Sequence, residues 1–221
     1  MVKSVKIIAF FLSLYFSSSA QEVLLNIPVT GKTIASFIPK GYDTIEVARG
    51  DLNKDGIADV VMALKNNGED SFEMDEEPKR LLLILFQQKA GYKLAGKSEN
   101  ALMCRACGGM YGDPYNGIII NKGILSVTHY GGSNWRWFDI QKFRYQQNGF
   151  FLIGSTSDSH WIGSDCNGKG IGDSGRKFQD MNWLTGEEEV IERDENCRLI
   201  KKTKRKLTRS PLIKLESFEH E

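Results

Sequence analysis

Charge of one sign is in short supply: 29 Lys and Arg stand against 28 Asp and Glu, a formal net charge of +1 over 221 residues. Such a balance gives no bulk attraction to nucleic acid or to an anionic membrane. Histidine is scarce as well, limited to His129, His160 and His220. No Gly-x-Ser-x-Gly nucleophile elbow accompanies them. A Ser/His/Asp arrangement of His129 with Ser133 and Asp113 can be drawn on paper, so a secreted hydrolase is a rival reading resting on common residue types. Proline numbers five, and no Pro/Gly/Ser linker divides the chain. One domain over 21–221 is expected. A sustained 3.6-residue apolar period is missing too, which argues against a helical protein.

What is present begins with Met1–Ala20. Lys3 and Lys6 precede an apolar run, Ile7–Phe16, too short to span a bilayer comfortably, and Ser18-Ser19-Ala20 offers small residues for cleavage. This reads as a signal peptide, with Gln21 as first mature residue and a periplasmic or secreted destination. Losing Lys3 and Lys6 tips the balance one charge to the acidic side. No stable membrane insertion is expected after cleavage.

The rest reads as strands. Apolar bursts at Val23–Leu25, Ile34–Ile38, Ile45–Val47 and Val60–Leu64 are punctuated by Pro28, Gly31, Pro39 and Gly41. Leu81–Phe86 is continuously apolar, as a strand buried on both faces requires. Hairpin turns are expected at Lys89-Ala90-Gly91, Asn121-Lys122-Gly123, Gln147-Asn148-Gly149 and Thr185-Gly186-Glu187. Strands follow at 178–184, 189–192, 198–207 and 212–215. The acidic stretch 65–79 reads as a solvated loop, and Ser98–Arg105 is the one short helix candidate. The expected fold is mainly β: consecutive antiparallel hairpins forming a sandwich or partial propeller-like sheet array, with little helix.

Between Thr44–Ala48 and Val60–Leu64 lies Asp51-Leu52-Asn53-Lys54-Asp55-Gly56-Ile57-Ala58-Asp59. Oxygen side chains fall at loop positions 1, 3, 5 and 9, with glycine at 6 for the sharp turn. Position 12 is Met62, not the Glu that closes an EF-hand. Without a metal the same residues suit an Asp-Gly hairpin braced by Asx hydrogen bonds. The stretch Arg49–Val61 resembles the FG-GAP (VCBS-type) repeat of integrin-α-like propellers and secreted bacterial proteins. That resemblance implies a structural calcium ion held by Asp51, Asn53, Asp55, the Ile57 carbonyl and Asp59. The repeat occurs once, so a multi-bladed propeller does not follow from it. A second segment, Ser164–Asp173, places oxygens and glycine at similar spacing but carries Lys169 where the first loop has Asp55. It reads as a degenerate copy or a plain Gly/Asn-rich loop.

Four cysteines in an exported chain point to disulfides. Cys104–Cys107 and Cys166–Cys197 are the favoured pairs, the second closing a long loop. Around the first pair stand Gly108-Gly109-Met110-Tyr111 and Gly131-Gly132-Ser133-Asn134-Trp135-Arg136-Trp137. Tyr111, Trp135, Arg136 and Trp137 have the composition of a ligand platform. Strand alternation alternatively sends Trp135 and Trp137 to one face as core residues, with Arg136 exposed. The basic run Lys201–Lys206 reads as protection of an edge strand. Together these features describe an exported, non-enzymatic β-domain that contacts an envelope glycan or a protein partner; a periplasmic inhibitor or immunity protein is a further reading of the same scaffold.

Overall fold

The computed structural model describes residues 26–71, 78–163, 166 and 173–220. Met1–Ala20, read above as a signal peptide, and most of Ser164–Asp173 therefore lie outside the described residues. The expected class is found: among the described residues twelve strands form two antiparallel sheets built from consecutive hairpins. β1 (Thr30–Gly31), β2 (Tyr42–Gly50), β3 (Asp59–Asn66), β4 (Leu81–Gln88) and β5 (Gly91–Ser98) make a five-stranded sheet in the order β1-β5-β4-β3-β2. β6 (Tyr115–Asn121), β7 (Ile124–Gly132), β8 (Trp135–Gln146), β9 (Gly149–Trp161), β10 (Lys177–Asn182), β11 (Glu187–Arg193) and β12 (Leu199–Lys206) follow one another across a seven-stranded sheet. Among the described residues helix is confined to short 3₁₀ turns, and no helix is long and apolar enough to cross a membrane.

β3 and β4 explain the layering. Val60, Met62, Leu64, Leu81, Leu83 and Leu85 point to one face, where Phe37 and Ile34 from the segment before β2 cover them. Val61, Ala63, Leu82 and Ile84 point to the other, against Leu125, Val127, Phe143, Phe150 and Leu152 of the seven-stranded sheet. Strict alternation along an all-apolar strand demands cover on both sides, and these two layers supply it. Both disulfides join the expected partners, Cys104 to Cys107 and Cys166 to Cys197.

Several local expectations are corrected. Ile34–Phe37 is a 3₁₀ turn rather than a strand, because its work is to cap a sheet face with Phe37. The helical turn expected over 98–105 sits at Arg105–Tyr111 instead. At the β8–β9 hairpin, Gln147 and Asn148 take the positive-φ positions and Gly149 already pairs with Gln146. His160 lies on β9 opposite Arg136. Residues 212–215 add no full strand; they touch β9 through the single bridge Phe151–Lys214 and then turn at Leu215–Ser217. The loop at 65–79 is not wholly solvated either. Glu69 is buried and pairs with Arg80.

The basic run on β12 has partners in register. Glu187, Glu188, Glu189 and Glu192 of β11 stand opposite Lys206, Arg205, Lys204 and Lys201. Ion pairs form at Lys204–Glu189 (3.0 Å), Lys201–Glu192 (3.2 Å) and Arg205–Glu188. Opposite charges directly across a strand pair each contribute ~0.2–1 kcal/mol.

Leu83 fills the doubly covered sheet, whereas Leu199 is exposed on the β12 edge. Leu83→Ala is expected to cost about 2–5 kcal/mol in urea denaturation, and Leu199→Ala less than about 0.5 kcal/mol.

Candidate functional site

The five-stranded sheet covers only part of its partner. Its packing reaches β6 to β9, and the same face of the seven-stranded sheet continues uncovered across β10, β11 and β12. Strand register lines this continuation with cross-strand rows. One row runs Trp137, Ser159, Lys177, Glu192 and Lys201; the next runs Asp139, Ser157, Gln179 and Val190; a third runs Gln141, Ser155, Met181, Glu188 and Arg205. These residues floor a trough of about 800 Å³, walled by Met103, Trp183 and Phe218. That volume suits a small-molecule or oligomeric ligand. Acidic and basic groups are interspersed, and several satisfy one another: Gln179 Nε2 donates to Glu188 Oε1 at 2.8 Å, and Arg205 pairs with Glu188.

Of the four aromatic-loop residues singled out by composition, Trp137 borders the trough. Its indole packs so closely on Gly131 that a Cβ there would stand 2.5 Å from Cζ2. Arg136 points to the opposite face, donates to the Gly132 carbonyl at 3.1 Å and lies 5.1 Å over the ring of Tyr111. Trp135 is 43% exposed and tilts against Trp161 with ring centroids 5.6 Å apart. Neither indole is a core residue, as Trp137 is only half-buried. The chain pairs Tyr111 with Arg136 and sets Trp137 apart from them.

The 51–59 hairpin forms at the β2–β3 turn. Asp51 Oδ1 accepts from the Lys54 and Asp55 amides (2.6 and 3.2 Å), and its Oδ2 from Gly56 (2.9 Å). Asn53 Oδ1 accepts from Asp55 N at 2.9 Å, and Asp55 Oδ1 from Ile57 N at 2.8 Å. Gly56 takes φ +84° at the bend, a conformation that needs no Cβ. Asp51, Asn53 and Asp55 thus converge, while the Ile57 side chain is exposed instead of facing a core. Asp59 differs: it is fully buried, and its two oxygens accept from the amides of Leu52, Asn53 and Gln87. Burial raises its carboxyl against those amide bonds, and the net shift is upward.

The residues of the rival hydrolase do not assemble. His129 is fully buried, and its Nε2 accepts from the Met103 amide at 3.2 Å. Burial, then the neighbouring His220 and Arg80, push its imidazole down to about 3, leaving it neutral at physiological pH. Asp113 is committed to Arg80 by bonds of 2.8 and 2.7 Å. Among the described residues no hydrogen bond joins His129 to Ser133 or Asp113. No family model matches the chain, and a search of curated proteins returns no match.

Sequence reading missed the trough. Its signal is the run Ser155-Thr156-Ser157-Asp158-Ser159, polar on both faces of a strand whose start, Phe150–Ile153, is buried. A strand that turns polar halfway along has left the core; which neighbours share its floor needs the register.

Burial favours a neutral Asp113, but the hydrogen bonds and charge of Arg80 outweigh it, so the folded carboxyl titrates below its ordinary value. The pair's contribution is complete above the unfolded value of about 4 and is lost as pH falls through the lower folded one. The stability difference between wild type and Asp113→Asn is therefore expected to shrink from about pH 5 to pH 3, measured by urea midpoints. A difference that grows on acidification would contradict this ion pair.

Proposed function

We propose that this is an exported, non-catalytic binding protein that holds an envelope glycan in the trough of the seven-stranded sheet, with a calcium ion bracing the 51–59 hairpin. The observation that carries the reading is the lining: serine hydroxyls, carboxylates and amides on the floor, with the indoles of Trp137 and Trp183 alongside. Sugar rings present apolar faces to aromatic side chains and hydroxyls to short polar groups. Lys177, Lys201 and Arg205 are outnumbered by Asp139, Asp158, Glu188, Glu192 and Glu219, so the lining disfavours a polyanion. The two disulfides fit an oxidising compartment outside the cytoplasm.

Calcium is supported by chemistry and by preorganisation. Asp51, Asn53 and Asp55 are exposed or half-exposed oxygen donors already drawn together by their own amide bonds. A carboxylate has about four acceptor sites, and three are used at Asp51. A hard cation takes such oxygens with little reordering of the loop. Asp59 would contribute its remaining acceptor site while holding the loop to β4 through Gln87.

Two measurements test this. Soluble peptidoglycan fragments and an array of envelope polysaccharides are the probes, and Trp137→Ala is expected to weaken the best of them by about 2 kcal/mol or more, with Trp135→Ala much less damaging. Absence of any glycan binding, or equal losses in the two variants, overturns the trough reading. For the hairpin, calcium at about 100 times its Kd adds about 2.7 kcal/mol to wild-type stability. That amounts to a melting temperature higher by about 5–10 °C, absent in Asp55→Ala. A wild-type protein whose melting ignores calcium after chelator treatment removes the ion from the proposal.

A further inference from the structure

At one end of the trough the polar atoms do not balance. His129 on β7 stands directly opposite Asp139 on β8. His220 is laid over both by the segment that follows the Lys214 bridge, its ring 5.1 Å from that of His129. One ligating atom from each of the three lies within 4.8 Å of the other two.

Following the protons sorts these atoms into donors and acceptors. His129 Nε2 accepts from Met103, so the neutral ring carries its proton on Nδ1, which is buried and meets no acceptor within hydrogen-bond reach. His220 Nε2 faces the Ala101 carbonyl at 3.4 Å and is therefore the donor there. That leaves the His220 Nδ1 lone pair pointing toward Asp139 Oδ2 at 3.8 Å. Two acceptors face each other. Gln141, on the same face of β8, donates Nε2 to Asp139 Oδ2 at 2.8 Å, and its buried Oε1 has no donor. An unmet buried acceptor costs ~1–3 kcal/mol. An imidazole nitrogen and a carboxylate thus meet with lone pairs to spare, and the neighbouring Gln141 amide, bonded to that carboxylate, carries an unmet oxygen of its own.

We propose that His220 Nδ1, the Asp139 carboxylate and Gln141 Oε1 bind one divalent transition-metal ion, with Zn(II) the best-matched class. His129 is not a ligand, because its free nitrogen bears a proton. Two ligands each about 2.0–2.2 Å from a tetrahedral zinc stand roughly 3.3–3.6 Å apart, so the 3.8 Å between Asp139 and His220 closes by a few tenths of an ångström, about 0.2–0.5 Å, on binding. Asp139, Gln141 and His220 all border the trough, so further coordination positions open onto it. A mixed nitrogen and oxygen set with an open side is the arrangement of a ligand-accepting centre, whereas the all-oxygen 51–59 loop suits a hard cation.

The test uses the full, tag-free mature chain in calcium-containing buffer, titrated with Zn(II) by calorimetry and with Co(II) by visible absorption. One equivalent is expected to bind wild type. Affinity should fall at least about tenfold, the scale on which even supporting residues act, in Asp139→Asn and in His220→Ala. It should hold in His160→Ala and rise in Gln141→Glu, which places a second carboxylate in the set. Circular dichroism and melting confirm that each variant is folded. No uptake by wild type, or uptake that survives both Asp139→Asn and His220→Ala, overturns the site. Glycan is absent from this titration, so its outcome is separate from that of the trough reading.

Discussion

The mismatch in width between the two sheets governs this molecule. Five strands cannot cover seven, so a single face of the larger sheet has to be two things at once. Where β6 to β9 lie under the smaller sheet, Leu125, Val127, Phe143 and Leu152 pack as a dry interior. Beyond that cover, the same face would expose a large apolar patch if the pattern continued. It does not continue: the positions in register become Ser157, Gln179, Glu188 and Arg205. An apolar core at one end and a polar floor at the other follow from one alternation read past the edge of its partner.

The wall of the trough is held by a charge cluster whose centre, Arg80 with Glu69, is buried. Arg80 at the start of β4 bonds Glu69 at 2.7 Å, Asp113 at 2.7 Å and the Met103 carbonyl at 3.4 Å. Met103 also gives its amide to His129, so its backbone is gripped from both sides. The Cys104–Cys107 disulfide follows immediately and keeps the next turn tight. Such a buried cation is costly unless paired, which is why two carboxylates and a carbonyl surround it. Glu46 performs a related service at the sheet edges, accepting from the Tyr115 hydroxyl at 2.7 Å and from the Ile118 amide at 3.3 Å. Position for residues 103–115 therefore comes from polar contacts across the two sheets as much as from apolar packing.

Much of the fold could be read from the chain because its signals are local. Val60–Leu64 and Leu81–Phe86 read as strands, the second as one covered on both faces, and the cysteine pairing followed from compartment and spacing. The Ile34–Ile38 burst misled because five apolar residues look alike whether they extend as a strand or curl to plant Phe37 on a sheet. The trough was illegible for a different reason. Its floor draws alternate residues from five strands between Trp137 and Arg205, joined by register alone. His220 is the extreme case: it lies 81 positions from Asp139 along the chain, close to it only because a 3₁₀ turn and the buried Phe218 carry the segment back. The 51–59 hairpin was visible for the opposite reason, since all its oxygens sit within nine consecutive residues.

The region around Trp137 argues that the uncovered face is more than leftover surface. A sandwich edge that merely had to stay soluble could end in short polar side chains. Instead β7 forgoes a side chain at Gly131, where any Cβ would collide with the indole, and Gly132 takes φ +101° beside it. Glycine in a strand interior weakens it and leaves a gap in the packing. Here the gap is occupied by an aromatic ring that rests on backbone at the border of a polar floor, and Trp183 stands at the same trough with its Nε1 already bonded to Ser155. Two indoles fixed at a polar trough, one of them seated at the expense of strand propensity, are the apolar surfaces that the proposed glycan would stack against.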